Sequence, residues 1–420
     1  MSKKIISVLL GAAVLVIAGS VFYFNREFSG TEPLIIAETP DQDPHFLKLS
    51  DNLNVSIFAD GLKDSRVIEF DPNGRILISQ PKEGKVVLVE DTDQDGKADR
   101  VIPVLEGLNK PHGLAFYDDG ATTYLYVAET NEVGRWPYDS NRGMITSEKA
   151  KNIANLPSDG RHLTRTIAFG PNFRSAPIVG GIGGGKDKLY ISVGSSCDVC
   201  VEDSWKRAAI LESDPAGTYT AEFAGGLRNS VFFTFHPETG EMWATEMGRD
   251  NLGDNLPPDE INIIRAATSE HKFGARRYGW PFCYGDKVKD TKFNPGKFER
   301  LDIPTDCGQT ESPTIKIPAH SAPLGLAFIP QDKGWPKEWA GDLLVAFHGS
   351  WNRSEPVGYE IVRFDLDSSG GVISEAPISF VSGWLAKDKI YGRPVDLKFA
   401  EDGSLFVSDD ASGVIYKIMP

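Results

Sequence analysis

"VDLKFAEDGSLFVSDD", residues 395–410, reads as an apolar strand ending in Phe399, a turn of Glu401, Asp402 and Gly403, and a second apolar strand. Asp and Gly supply the backbone angles that a hairpin turn needs. The same unit recurs upstream. It appears as "VIEFDPNGRILISQ" from Val67, "GLAFYDDGATTYLYVAET" from Gly113, and "TIAFGPN" from Thr166 continuing to "DKLYISVGSS". It returns as "VFFTFHPETGEMWATEMG" from Val231 and as "GLAFIPQDKGW" from Gly325, leading to "GDLLVAFHGS". The repeated phenylalanines are Phe70, Phe116, Phe169, Phe235, Phe328 and Phe399. Short strands with almost no helical periodicity predict an all-β fold. Six such units predict a six-bladed β-propeller. The last strand, "GVIYKI" at 413–418, is expected to share a blade with "NVSIFADGL" at 54–62, which removes the free sheet edges. A β-sandwich, or two small β domains, is the alternative architecture.

The chain has 420 residues and a formal net charge of −15, with 40% hydrophobic and 25% charged residues. That acidic balance disfavours nucleic acid as a partner, and none is expected, because phosphate backbones call for a basic surface. After "MSKK" comes an uncharged stretch, Ile5 to Phe24, closed by Asn25-Arg26-Glu27. About 20 apolar residues suffice for a spanning helix. An uncleaved membrane anchor is the favoured reading, and a signal peptide cut near Ala18–Ser20 is the other. Either exports the rest of the chain, to the periplasm or beyond. The expected organisation is an anchor or signal segment at 1–28, a linker at 29–48, and the propeller at 49–420. The membrane is touched through the N-terminal segment only.

Cys197, Cys200, Cys283 and Cys307 are the four cysteines. A c-type haem site needs His after the second cysteine of a C-x-x-C pair, and Val201 stands there. Residues 283 and 307 are too far apart for the second close pair of a zinc site. In an exported chain the expectation is two structural disulfides, 197–200 and 283–307.

Each repeat also carries a basic residue shortly before its phenylalanine: Arg66, His112, the group Arg161, His162 and Arg165, then Arg228, His320 and Arg393. In a propeller the loops entering the innermost strands converge on one mouth of the central channel. A basic ring there needs a partner, and arginines select carboxylates through paired hydrogen bonds. The ligand implied is a small polyanion. Pairing of these residues with loop aspartates is the plainer alternative. The loops "EMGRDNLGDNLPPDEIN" (246–262) and "AFHGSWNRSEP" (346–356), with His348, Trp351, Asn352 and Arg353, are expected at the same mouth.

"DTDQDGKADR" at 91–100 alternates Asp91, Asp93, Asp95 and Asp99 around Gly96. Such a loop wraps a hard cation such as Ca²⁺. Ile102 stands where an EF-hand carries its bidentate Glu, and the flanks read as strands. A structural Ca²⁺ site on a hairpin turn, away from the channel mouth, is expected, with a solvated acidic turn as the alternative.

"GRHLTRTIAFGPN", "GGLRNS", "DEIN" followed by "YGWPFCYG", "AHSAPLGLAF", "FHGSWNRS" and "YGRPVDLKFAEDGSLFVSDD" together resemble the PQQ-dependent sugar dehydrogenases, and among them the sorbosone dehydrogenase group. The likeness covers about residues 50–420. It implies pyrroloquinoline quinone (PQQ), with its three carboxylates, as the polyanion and Ca²⁺ beside it. By resemblance His162 is the general base. Arg228, Asn229, Arg353 and Arg393 hold the cofactor, with Arg161 and His320 at the same mouth. Backbone carbonyls of Gly248 and Arg249 hold the metal, with Asp259 nearby. The implied reaction is oxidation of a sugar or aldehyde by hydride transfer to the quinone, with electrons passed to an external quinone or cytochrome. The chain departs from the glucose enzymes at Arg161, Met247, His320 and Val395, which implies a differently shaped pocket. A Ca²⁺-dependent propeller lactonase and a non-catalytic ligand-binding propeller are the competing functions.

Overall fold

Every predicted hairpin forms the inner half of one blade. In the computed structural model, which describes residues 35–36, 44, 46–50, 53–171, 187–271, 273–300, 302–367, 369–387 and 389–420, the innermost strands are Ile68–Phe70, Leu114–Asp118, Ile167–Gly170, Phe233–Phe235, Pro323–Phe328 and Pro394–Phe399. Each begins one sheet of four or five strands, and the successive strands pair antiparallel outward from the axis. The fold is a six-bladed β-propeller. Blade 6 is closed as expected: Asn54–Ala59 pairs antiparallel with Val414–Met419, so the two ends of the propeller share a sheet. The anchor reading at 1–28 and much of the linker at 29–48 lie outside the described residues. Among the described residues no helix is long and apolar enough to cross a membrane.

The repeat follows from packing. The second strand of each blade is shielded on both faces, and Ile76–Gln80, Met242–Glu246, Leu343–Phe347 and Leu405–Asp409 are buried throughout. A strand covered on both sides reads as a continuous apolar run. Near the axis the inner strands press together. A Cβ at Gly113 would lie 2.6 Å from the Ile167 nitrogen, and one at Gly325 would lie 2.6 Å from the Val395 carbonyl oxygen. The glycine of each "GLAF" therefore makes room for the neighbouring blade.

Insertions decorate this frame. The stretch between Asp259–Ile264 and Ile315–Ile317 carries the Cys283–Cys307 disulfide, and its Arg276–Arg277 pairs with blade 3. The second disulfide joins Cys197 to Cys200. Both pairings are those expected from the sequence.

Inner strands run from the mouth marked by the basic residues, here the upper mouth, to the phenylalanine turns below. Second strands run back. Loop 91–99 joins Lys85–Glu90 to Arg100–Leu105 and therefore lies on the lower face.

Candidate active site

At the upper mouth a cleft of about 230 Å³ is lined by Arg161, His162, Arg228, Asn229, Met247, Gly248, Asp250, Asp259, His320, Ala322, Trp351 and Asn352. Five loops meet there: the one entering blade 3, the two on either side of the blade 4 hairpin, and those entering the first strand and leaving the second strand of blade 5.

His162 sits against the turn that leaves the second strand of blade 3. Its Nδ1 lies 3.0 Å from the Ser195 carbonyl oxygen and 2.9 Å from Ser195 Oγ. The Ser195 hydroxyl donates to the Cys197 carbonyl at 2.6 Å, so its oxygen is free to accept from the ring. Two acceptors on one nitrogen assign the proton to Nδ1 and leave the Nε2 lone pair available. Burial, reinforced by the Arg228 and Arg161 charges, pushes the imidazole down to about 3, so it is neutral near pH 7. Gly194 permits this approach, since a Cβ there would lie 2.6 Å from both Asn229 Oδ1 and His162 Cβ.

Arg228 is buried and clamped. Its Nη2 donates to Asp198 Oδ1 at 2.8 Å and to Asp250 Oδ2 at 3.2 Å, and its Nε to the Asp198 carbonyl at 2.9 Å. Asp198 belongs to the short Cys197–Cys200 ring, so that disulfide positions both the arginine's partner and the serine behind His162. Asp259 accepts the Gly248 amide on Oδ1 and the Ala322 amide on Oδ2, each at 2.9 Å. Burial lifts this carboxyl to about 6. With both oxygens occupied, Asp259 holds the loop. Among the described residues, the Gly248 and Arg249 carbonyl oxygens accept no hydrogen bond. A Cβ at Gly248 would meet Pro257 Cγ at 2.7 Å, so only glycine fits that turn.

Most donors of the expected basic ring are taken up from within the chain, so few are left for an outside anion. Arg66 pairs with Asp410 at 2.7 Å. Arg165 is fully buried on the carbonyls of Thr130, Pro157, His162 and Thr164. Arg393 donates to the His348 and Gly349 carbonyls and stacks over Tyr359, and it does not line the cleft. Arg353 also stays outside, tying the Asp254 and Ala319 carbonyls together. His320 donates from Nε2 to the Gly253 carbonyl at 2.9 Å. Arg161 is the exception. It is half exposed, and its one ion pair among the described residues, with Asp250, is long at 3.7 Å.

The site fits a flat anionic cofactor beside a hard cation. Arg161, Arg228 and Asn229 offer donors, while the two unpartnered carbonyls offer the oxygen ligands a Ca²⁺ takes. Sequence reasoning missed Ser195 and Asp198, and it placed Asp250 at the mouth within loop 246–262 without singling it out. All three leave a second strand at the upper face, where an antiparallel hairpin must return, and that return is the signal that could have found them.

On the lower face, Asp91, Asp93 and Asp99 bring carboxylate oxygens within 4.8 Å of one another. Asp95 turns away and accepts the Lys97 amide at 2.8 Å. Whatever this loop binds, it lies across the propeller from the cleft.

The fold and cleft define a propeller with a polar, ligand-ready mouth. Residues 47–420 match the TrAA12-like family, and the chain belongs to it. An uncharacterized protein of Borreliella burgdorferi is 31% identical over 89% of this chain and 90% of its own length. The pyrroloquinoline quinone-dependent pyranose dehydrogenase of Coprinopsis cinerea is 24% identical over 90% of this chain, which spans only 55% of that protein. Among solved structures, the calcium structure of the Trichoderma reesei family AA12 carbohydrate-active enzyme superposes with a TM-score of 0.71, at 21% identity, covering 93% of this chain and 99% of that one.

Proposed function

We propose that the protein is a PQQ- and Ca²⁺-dependent dehydrogenase that oxidises a sugar. The observation that carries this is the neutral His162 with its Nδ1 proton held by Ser195, facing a cleft whose donors suit an anionic cofactor. The pyranose dehydrogenase relative of Coprinopsis cinerea supports it. When bound, the quinone takes up the hydride and the calcium ion polarises it.

The chain's own residues do the rest. His162 Nε2 accepts the proton of the substrate hydroxyl as the C–H bond breaks. Ser195 holds the ring at the angle this needs. Arg228 and Asn229 form a buried floor that orients the cofactor, and Arg228 is kept in place by Asp198 and Asp250. Asp259 holds Gly248 so that its carbonyl and that of Arg249 can face the metal. An anion on Arg228 and Arg161 would offset the two charges that add to burial in holding His162 down.

A lactonase would hold its metal with carboxylates at the channel centre. Here Asp259 is spent on two backbone amides and Asp250 on Arg228 and Asn352. That favours the dehydrogenase. The electron acceptor is a separate molecule, a quinone or cytochrome. Catalysis outside the cytoplasm, with a tether at 5–24, rests on the two disulfides and the apolar N-terminus.

The test is metal-stripped protein titrated with PQQ, with and without Ca²⁺, followed by dye-linked oxidation of an aldose panel. Ca²⁺-dependent PQQ binding with sugar turnover is expected. No PQQ binding in either condition would end this reading, and lactone hydrolysis would be measured next.

A further inference from the structure

The Cys197–Cys200 disulfide closes a ring with only Asp198 and Val199 between its cysteines. Both halves of the site are wired through that ring. The Cys197 carbonyl accepts the Ser195 hydroxyl at 2.6 Å, and Ser195 Oγ lies 2.9 Å from His162 Nδ1. Arg228 Nε at 2.9 Å and Trp280 Nε1 at 3.2 Å donate to the Asp198 carbonyl. Arg228 Nη2 and the Asp250 amide, each at 2.8 Å, donate to Asp198 Oδ1. One short turn therefore positions the general base, the cofactor floor and the loop that carries Gly248 and Arg249.

The flanks of the ring are anchored without the disulfide. Glu202, 5% exposed, accepts the Ser196 amide at 2.6 Å and the Ser196 hydroxyl at 2.8 Å. Val201 packs on the buried cluster of Phe282, Cys283 and Cys307. A covalent bond holds two sulfurs closer than two thiols can approach, so cleaving it pushes them apart by about 1.5 Å. With both flanks anchored, that displacement falls on the Cys197 carbonyl and on Asp198. Misplacing a reacting group by about 1 Å costs about 10²-fold in rate.

The two disulfides of the chain differ in access, which governs exchange with a thiol. Cys197 and Cys200 are half-buried. Cys283 and Cys307 are 4% and 8% exposed and sit in an apolar cluster. They also differ in reach. The chain-entropy gain from a disulfide grows with the loop it closes, so the 197–200 bond contributes less to global stability than one with a sequence separation of 24. Its influence is local to the site.

We propose that the Cys197–Cys200 disulfide is a redox switch: reduction by a dithiol displaces Asp198 and the support of Ser195 and turns sugar oxidation off, and reoxidation restores it. One sulfur of the dithiol bonds to one cysteine while the other cysteine leaves with the bonding electron pair and takes a proton. The second sulfur then closes the dithiol into its own disulfide and frees the remaining cysteine as a thiol. Two electrons and two protons pass to the protein in all. This rests on the dehydrogenase reading above and adds its regulation.

The experiment uses the full chain as wild type, Ser195→Ala, Asp198→Ala and the double variant Cys197→Ser/Cys200→Ser. Wild type is equilibrated with dithiothreitol at graded ratios to its oxidised form, and free thiols are located by alkylation and mass spectrometry. The reagent is removed under nitrogen before PQQ and Ca²⁺ are added. PQQ affinity, kcat on an aldose, the thermal midpoint and, in protein without PQQ, amide hydrogen exchange are then read.

Cys197 and Cys200 are expected to become thiols while Cys283–Cys307 stays bonded. At that point kcat falls about 10²-fold and PQQ binding weakens about tenfold or more, with the midpoint lowered by only a few degrees. Reoxidation restores both. The Asp250 amide, which leans on Asp198, loses exchange protection, whereas the Arg161 amide, on the Ser196 carbonyl at 2.9 Å, keeps it. In Ser195→Ala reduction lowers kcat far less, and in Asp198→Ala it no longer changes PQQ affinity. The double serine variant matches the reduced wild type and ignores dithiothreitol. If that variant does not fold, the reversible titration of the wild type decides alone. Reduced Cys197 and Cys200 with unchanged kcat and PQQ affinity would overturn the switch. So would prior opening of Cys283–Cys307, or a loss of activity that tracks global unfolding. Failure of PQQ to bind the oxidised wild type would sink the dehydrogenase reading instead, while the exchange of Asp250 would still decide whether reduction releases Asp198.

Discussion

The two mouths of the channel are built from the same six strands and have opposite characters. The lower one encloses about 470 Å³ lined by Phe116, Phe169, Phe235, Phe328 and Phe399, with one ion pair, Lys398 to Glu69 at 2.9 Å. The upper one is polar and holds the His162 cleft. The lower mouth is made by the repeat itself, with the repeat phenylalanine of five of the six blades. The upper mouth is made by loops that differ in every blade. Symmetric packing thus builds the scaffold, and broken symmetry builds the site.

The sharpest way to separate the two is to cut each at its centre. His162→Ala is expected to lower kcat by about 10²–10⁴-fold, the usual worth of a general base, while PQQ affinity and thermal stability stay near wild type. Phe328→Ala should do the reverse. Its ring is 9% exposed and packs edge-on against His236 and Trp243. Losing it should cost about 3–5 kcal/mol in denaturant unfolding, with kcat and KM unchanged in the folded fraction. If Phe328→Ala instead changed KM at full stability, the lower mouth would be a ligand site and the comparison would fail.

Gly194→Ala probes how tightly the upper mouth is set. The added Cβ meets Asn229 Oδ1 and His162 Cβ at 2.6 Å, so one or both must shift. A misplacement near 1 Å predicts a loss in kcat of about 10²-fold, measured by single-turnover reduction of bound PQQ. Retention of full activity would mean that the Ser195–His162 contact tolerates movement.

The channel between the mouths has its own signature. Asp396 is buried midway, with Oδ2 accepting the Ile68 amide at 2.9 Å, and burial lifts its carboxyl to about 7. A carboxyl raised above its unfolded value near 4 stabilises the fold most below that value, and the contribution is lost as pH rises through about 7. The thermal midpoint should therefore fall between pH 5 and pH 8, and Asp396→Asn should flatten part of that fall. A steeper fall in the variant would place the titration elsewhere.

The lower mouth was legible in the sequence because it is periodic. Phe399, the "GLAF" glycines and the closure of 54–59 onto 414–419 follow from one repeated unit. The upper mouth was legible in position more than in wiring. His162, Arg228, Asn229, Arg161, His320 and Gly248 do gather at one cleft. Arg353 and Arg393 do not, because backbone carbonyls across long sequence gaps take their guanidinium groups. Such carbonyls carry no residue signature. Ser195 and Asp250 were hidden for a related reason: each acts through hydrogen bonds set by the return of a hairpin, the serine with His162 and the Cys197 carbonyl, the aspartate with Arg228 and Asn352.

The smallest expected effect concerns the acidic loop, which tests whether the faces are independent. Asp99 is held below the usual carboxylate range by the Thr92 hydroxyl, and Gly96 donates to Asp91 Oδ2 at 2.9 Å. The turn is therefore already ordered by its own hydrogen bonds, and a cation there would add modestly. Asp93→Asn should remove any Ca²⁺-dependent rise in the thermal midpoint that persists in protein lacking PQQ, a shift of a few degrees at most, or about 1 kcal/mol. It should leave the Ca²⁺ requirement of sugar oxidation untouched, because the proposed function assigns that requirement to the Gly248 and Arg249 carbonyls across the propeller. Should Asp93→Asn abolish activity, the calcium that matters for chemistry would be the one on the lower face, and the assignment of the upper carbonyls would have to be abandoned.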